Sequence, residues 1–287
     1  MTVGVVGLGN MGLGMAATLV RKGFGVAGFD ISETRRAMAC AAGVQAFAAL
    51  SKLFGVAETL VFSLPNARDV EAVVRAEGGL LGHSRKKVVV IDTSTSDPGT
   101  TRRLAGLLAT AGHALLDAPV SGGPSGAAAG TLTMMVGGAE EDLALVRPVL
   151  EAMSSRIVHV GPSGAGNVAK LVNNLLVAAH LVTAREAMRL SEAAGLSAED
   201  ALRVVNTATG RSAVTEVMLP RWVLNSAFDS GFSAGLMRKD VRLALEMAAE
   251  AGIELPLSSH AGRIWADAPI PDAEDFTRMA DYRAKDI

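Results

Sequence analysis

Through the first half of the chain, short β-branched apolar runs alternate with longer stretches whose apolar side chains recur every three or four positions. The runs are Val3-Gly-Val-Val, Gly25-Val-Ala-Gly-Phe, Leu60-Val-Phe-Ser, Val88-Val-Val-Ile, Ala114-Leu-Leu-Asp, Leu132-Thr-Met-Met-Val and Ile157-Val-His-Val. Between them, Met11 to Arg21, Ser32 to Ala42, Pro98 to Ala111 and Glu140 to Met153 have helical length and spacing, with Gly43 and Gly112 placed as helix C-caps. Strands alternating with helices predict a largely parallel, doubly wound sheet. After Gly161-Pro-Ser-Gly no further strand pattern occurs, and helical periodicity fills the rest. This predicts two domains, residues 1–161 as an α/β unit and residues 162–287 as an all-helical one. They are joined through a helix from about Ala165 to Ala194, capped by Gly195 and about 45 Å long at 1.5 Å per residue. Later helices are expected over Ala198 to Asn206, Leu236 to Ala251 and Leu257 to Ala266.

The first twenty residues carry no charge, but five glycines interrupt them and Arg21-Lys22 follow rather than precede the apolar run, so neither a secretion signal nor a membrane span is expected. Leu171 to Ala184 is broken by Asn173, Asn174, His180 and Thr183, which suits a core helix. A net charge of -2 with scattered basic pairs (Arg35-Arg36, Lys86-Lys87, Arg102-Arg103) offers no phosphate-tracking stripe, so nucleic acid is not an expected partner. The single cysteine, Cys40, rules out an internal disulfide, fits a cytoplasmic protein, and reads as a small packing residue. His83, His113, His159, His180 and His260 are dispersed without metal-ligand spacing, so no metal site is expected.

The segment Gly7-Leu8-Gly9-Asn10-Met11-Gly12 carries GxGxxG between a predicted strand and a predicted helix. Gly7 permits the tight turn, Gly9 lets the backbone approach a pyrophosphate, and Gly12 allows the helix to pack closely with its N–H groups facing the anion. Asp30 ends the second strand at the expected distance of about twenty residues. Its carboxylate suits the adenosine ribose and repels a 2'-phosphate, which favours NAD. Arg35 or Arg36 turned back onto a phosphate would admit NADP, although an exposed helix face is the simpler role for both. The α/β half is therefore expected to be a Rossmann-type dinucleotide-binding domain.

Two further segments carry candidate chemistry. Asp117-Ala-Pro-Val-Ser-Gly-Gly-Pro follows a predicted strand and offers the Ser121 hydroxyl with the backbone N–H groups of Gly122 and Gly123, a set suited to a carboxylate or simply to a tight loop. Lys170 is the only Asp, Glu, Lys or Arg between Arg156 and Arg185. A lysine in so apolar a run either snorkels to water or does chemistry. Asn174, four residues on, projects from the same helix face, so an ammonium and a carboxamide can share one substrate oxygen, the first exchanging a proton and the second fixing position. An apolar surround, a helix N-terminus and an oxidised nicotinamide each favour the neutral amine that a base requires.

Together, Gly7-Leu-Gly-Asn-Met-Gly, Asp117-Ala-Pro-Val-Ser-Gly-Gly, Gly164-Ala-Gly-Asn-Val-Ala-Lys-Leu-Val-Asn-Asn and Lys239-Asp240 resemble the β-hydroxyacid dehydrogenases, particularly the 3-hydroxyisobutyrate dehydrogenase branch. The resemblance covers nearly the whole chain, with the motifs in family order. It implies that Lys170 is the catalytic acid/base, that Ser121, Gly122 and Gly123 hold the substrate carboxylate, and that Asn174 positions the reacting hydroxyl. Cofactor contacts at Leu64, Pro65, Thr95 and Lys239 and a homodimer or homotetramer are implied in the same way. The expected activity is reversible hydride transfer between NAD and a small 3-hydroxy acid such as 3-hydroxyisobutyrate or a glycerate-type substrate. Imine reductases resemble the same architecture but generally place another residue at the position of Lys170. The 6-phosphogluconate dehydrogenases are longer and usually have histidine where this chain has Asn173. A dinucleotide-sensing protein without turnover is the alternative from another class. Arg211 is a candidate for reading a second anionic group, or an ordinary surface charge.

Overall fold

The computed structural model describes residues 1–76, 79–83 and 87–284. Lys86 and the side chain of His83, both named above, lie outside the described residues. The chain forms two compact units, Met1–Lys170 and Leu171–Ile287.

In the first unit the strands are β1 (Thr2–Val6), β2 (Gly25–Phe29), β3 (Gln45–Phe47), β4 (Thr59–Phe62), β5 (Val89–Asp92), β6 (Ala114–Asp117), β7 (Val120–Ser121), β8 (Leu132–Gly137) and β9 (Ser154–Gly161). The helices are α1 (Asn10–Arg21), α2 (Glu33–Ala41), α3 (Leu50–Val56), α4 (Ala67–Arg75), α5 (Leu80–His83), α6 (Pro98–Thr110), α7 (Gly123–Ala129) and α8 (Glu140–Met153). Strands β3-β2-β1-β4-β5-β6 are parallel in that order, and β8 then joins β6 antiparallel, flanked by β7 antiparallel and β9 parallel. The order reverses direction at β1 and β4, the place where open α/β sheets bind ligands beyond their carboxyl ends.

Alternation along the strands explains the double winding. Val5, Val61, Ile91 and Leu116 enter one core with Met15 and Leu19 of α1 and Leu143, Val146 and Leu150 of α8. Val6, Phe62, Val90 and Leu115 enter a second core with Leu53 of α3, Val70 and Val74 of α4 and Leu104 and Leu108 of α6. Both faces are covered, so the strands read as continuous apolar runs rather than alternating ones. Local signals set the helix starts: Ser32, Asn66 and Asp97 accept the backbone N–H three residues on, and Pro98 occupies the first turn of α6. Cys40 lies exposed on α2, not packed as its small-residue neighbourhood suggested; Ala39 takes the inward position instead.

Helix α9 (Ala165–Ala193) runs from the first unit into the second. The second unit continues with α10 (Ala198–Val205), a π-helical segment (Val214–Val223), α11 (Ala234–Glu250), α12 (Pro256–Asp267) and a 3-10 turn (Phe276–Ala280). Its core gathers Leu181, Met188, Leu219, Met237, Val241 and Phe276 around Trp265, whose indole N–H donates to the Ala178 carbonyl at 3.1 Å. Apart from one isolated bridge, Ser233 with Asp275, the described part of this unit is helical or irregular.

Candidate active site

The carboxyl ends of β1, β4, β5 and β6 carry most of the residues singled out from the sequence. At the first of these ends each glycine has a separable task. A Cβ at Gly7, where φ is +88°, would lie 2.2 Å from the Ser63 carbonyl oxygen, and one at Gly12 would lie 1.8 Å from the Gly7 carbonyl oxygen. A Cβ at Gly9 would meet nothing within 4 Å. Gly7 and Gly12 are thus demanded by the protein's own packing. Gly9 leaves open space at the start of α1, flanked by Asn10 and Met11, and this is the room a pyrophosphate on the helix N-terminus needs.

Asp30 follows β2 and accepts from the Leu8 N–H at 2.7 Å and the Ser32 N–H at 2.8 Å. One bond to each oxygen leaves acceptor capacity for ribose hydroxyls. Arg36 donates to the carbonyls of Asp30 and Ile31 at 2.8 and 3.0 Å, while Arg35 donates to the Asn10 side chain at 3.2 Å. Arg36 is therefore more than a solvated charge, since it supplies donors to the two carbonyls just beyond β2, while Arg35 makes a single exposed contact. At the β4 end the Leu64 N–H donates to Ser94 Oγ at 2.9 Å, and Pro65 is exposed beside it. Thr95, partly buried, stands just beyond β5.

Asp117 closes β6 and is fully buried. Its Oδ1 accepts from the Gly164 N–H at 2.8 Å and its Oδ2 from the Asn167 N–H at 2.9 Å, so a strand-end carboxylate caps the start of α9. Burial pushes this carboxyl up from its ordinary value, and the backbone donors of Gly164, Asn167 and Gly166 pull it back. The chain continues from Asp117 into β7, where Ser121 is partly buried, and then turns through Gly122 (φ +126°) and Gly123 (φ +63°), conformations that L side chains rarely adopt.

Lys170 lies on α9 with 8% of its surface exposed, and Asn167, one turn earlier, is wholly buried. Asn167 accepts from the Ser96 N–H at 3.0 Å and donates to Thr101 Oγ1 at 3.1 Å. In the second unit, Asn174 donates to Asp240 Oδ2 at 2.6 Å. A carboxylate only accepts, so the Asn174 amide nitrogen must face Asp240, and its oxygen is left for other donors, Asn173 among them at 3.1 Å. The other oxygen of Asp240 lies 3.2 Å from the Lys239 ammonium, an ion pair. Arg211 is exposed, 4.0 Å from Glu216.

Asp117, Asn167 and Asp240 take individual roles that motif matching alone does not assign. A polar residue inside Gly164-Ala-Gly-Asn, just where an apolar helix begins, was the available signal for the cap. Among the described residues no group of His, Cys, Asp and Glu has the arrangement to hold a metal, and no helix is long and apolar enough to cross a membrane.

Residues 2–161 match the family described as "NAD binding domain of 6-phosphogluconate dehydrogenase", and residues 164–282 match that described as "NAD-binding of NADP-dependent 3-hydroxyisobutyrate dehydrogenase". The chain is 37% identical over 263 residues to the 2-(hydroxymethyl)glutarate dehydrogenase of Eubacterium barkeri, covering 92% of this chain and 87% of that one. It is 40% identical over 285 residues to a Mycobacterium bovis protein named "Probable 3-hydroxyisobutyrate dehydrogenase", covering 97% and 96%. Among solved structures, Mycobacterium tuberculosis 3-hydroxyisobutyrate dehydrogenase with L-serine superposes with a TM-score of 0.90 at 38% identity, covering 97% of both chains. An imine reductase of Streptomyces aurantiacus shares the fold alone, at a TM-score of 0.66 and 18% identity over 99% of this chain and 100% of that one. With a dinucleotide loop that fits its cofactor and relatives matched along almost their whole length, the chain belongs to the β-hydroxyacid dehydrogenases, oxidoreductases that use NAD, with NADP as the alternative, to act on hydroxy acids.

Proposed function

We propose that the substrate is a small 3-hydroxy acid, of the size of 3-hydroxyisobutyrate, glycerate or serine, oxidised reversibly to its semialdehyde or keto acid. The observation that carries this reading is the burial of Lys170, 8% exposed, on a helix whose first turn is fastened to the strand end that leads into the Ser121 loop. In the forward direction Lys170 Nζ takes the hydroxyl proton, and in reverse it returns one to the carbonyl oxygen. The Ser121 hydroxyl and the N–H groups of Gly122 and Gly123 hold the carboxylate. Asn174, whose Nδ2 gives one amide hydrogen to Asp240, donates the second to the reacting oxygen and sets its position, leaving the hydroxyl proton to Lys170. Bound NAD supplies the hydride acceptor for the carbinol carbon. Gly7, Leu8, Gly9, Asn10, Met11, Gly12, Asp30, Leu64, Pro65, Thr95 and Lys239 are assigned to the cofactor, with residues 1–161 as the dinucleotide-binding domain and 162–287 as the helical domain. A cytoplasmic homodimer or homotetramer completes the proposal. The exposed apolar side chains of Val172, Leu176 and Leu190 on α9 support association, and sedimentation velocity tests it, a monomer refuting it.

The central test is Lys170→Ala. Cofactor affinity is expected to persist while turnover falls about 10²- to 10⁴-fold, the span for lost acid–base catalysis, as followed by NADH absorbance with a panel of 3-hydroxy acids. Near-normal turnover removes the assignment. NAD binding without turnover of any hydroxy acid by the unaltered chain supports a sensor instead.

A further inference from the structure

We infer that Asp117 and Asn167 are positioning residues for Lys170, acting together as a lock that sets the start of α9 against the strand ends. The inference rests on the acid–base reading of Lys170. Its physical basis is the density of polar contacts at one buried point. The Asp117 carboxylate, wholly buried, binds the Gly164 and Asn167 N–H groups with separate oxygens. Nothing larger than hydrogen fits around it: a Cβ at Gly137 of β8 would lie 2.6 Å from Asp117 Oδ1, and one at Gly166 of α9 would lie 2.9 Å from Oδ2 and 2.6 Å from the Asp117 carbonyl oxygen. The carboxylate is thus enclosed by two backbones brought to closest approach.

Asn167 extends the lock sideways. Its side chain accepts from the Ser96 N–H and donates to Thr101 Oγ1, tying the same helical turn to the segment that carries Thr95 and to α6. Lys170 stands three residues beyond Asn167, on the adjoining side of the helix. Three strand-end features therefore share one fixed reference: the Ser121 loop that grows out of Asp117, the Thr95 segment, and the helical turn bearing the lysine. A misplacement of about 1 Å in a reacting group costs on the order of 10²-fold in rate, so a lock of this kind has kinetic consequences without touching substrate.

Asp117→Asn preserves shape but places an NH₂ against a backbone N–H, so the first turn of α9 must shift. In the full chain, Asp117→Asn, Lys170→Ala and the double variant are compared with the unaltered protein by steady-state turnover of 3-hydroxyisobutyrate and L-serine and by NADH fluorescence titration. Asp117→Asn is expected to lower kcat about 10²-fold with NADH affinity within about twofold, yet to change the residual rate of Lys170→Ala by less than about threefold, because residues acting through one group are non-additive. Unchanged kcat, an equal fold-loss in both backgrounds, or a parallel loss of NADH binding overturns the inference. Should Asp117→Asn not fold, Asn167→Ala must give the same non-additive pattern, and equal losses there overturn it too. Lys170→Ala measured alone reports separately on the acid–base reading, and near-normal turnover of that variant takes both down.

Discussion

At the residue scale, the three glycines of the first loop make opposed predictions. Gly12→Ala forces a methyl group into the Gly7 carbonyl, so thermal denaturation should show a loss of about 1–3 kcal/mol or more, the range for overpacking a close contact. Gly9→Ala meets no protein atom and sits at an allowed backbone conformation, φ -64° and ψ -169°. Its melting temperature should stay put while NADH affinity falls at least tenfold. A stability loss at Gly9 equal to that at Gly12 would show that the open space is not reserved for a ligand. His113 gives a pH prediction. Its ring is buried, its Nδ1 accepts from the Val88 N–H at 3.2 Å, and burial holds its pKa below the ordinary 6.5. The unfolded chain therefore binds a proton that the folded chain refuses, so this contribution is present above pH 6.5 and is lost as pH falls through the depressed value. Melts between pH 8 and pH 5.5 should show that slope, and His113→Gln should flatten it.

Among the elements, α1 and α7, the helices that follow the dinucleotide loop and the Ser121 loop, pack closely against each other. Thr18 Oγ1, buried in α1, donates to the Ala127 and Ala128 carbonyls at 2.8 and 3.1 Å, and a Cβ at Gly14 would lie 3.1 Å from that of Ala127. Thr18→Val keeps the volume and removes the donor to the buried Ala127 carbonyl, while Ala128 retains Arg21, so unfolding free energy should drop by about 1–3 kcal/mol, the cost of stranding a buried acceptor, as measured by urea denaturation. Elements of this kind also mark where the sequence stopped being legible. The buried central strands and α1, α6, α8 and α9 are readable because their apolar positions are many and recur at regular spacing, with Asp97 and Pro98 marking the start of α6 as well. Strand β3 has three residues, none buried, and β7 has two, too few for any period to register. Helix α7 is built from Gly, Pro, Ser and Ala, residues that read as loop. The π-helical segment contains Pro220, which argues against a regular helix over those residues. Helix α4 carries a legible signal of its own, with Asn66 capping it and Val70 and Val74 forming its inner face.

On the scale of the whole molecule, the residues of the candidate site were legible one motif at a time, but their mutual support was not. Lys170 stands out because no other Asp, Glu, Lys or Arg occurs in sequence between Arg156 and Arg185, whereas the cap on its helix comes from Asp117, a partner distant in sequence that no local pattern announces. Cofactor linkage should act chiefly on the unit containing residues 1–170, which carries every proposed cofactor residue except Lys239. NADH at about a hundred times its Kd adds about 2.7 kcal/mol, which for a unit of this size raises the melting midpoint by about 5–10 °C. Calorimetry that found no such rise would refute binding at the strand ends. The cap also bears on how this protein can be recombined with its relatives. Residues 164–167 belong by contact to the sheet rather than to the helices that follow, since Asp117 and the Gly137 backbone close around them. A chimera that imports its helical half from a relative at residue 162 therefore mates a foreign helix start to a native socket, while one that crosses over after Lys170 keeps socket, cap and lysine from a single parent. Libraries built on the later crossover should yield the larger share of active enzymes, with substrate preference free to follow the transplanted half.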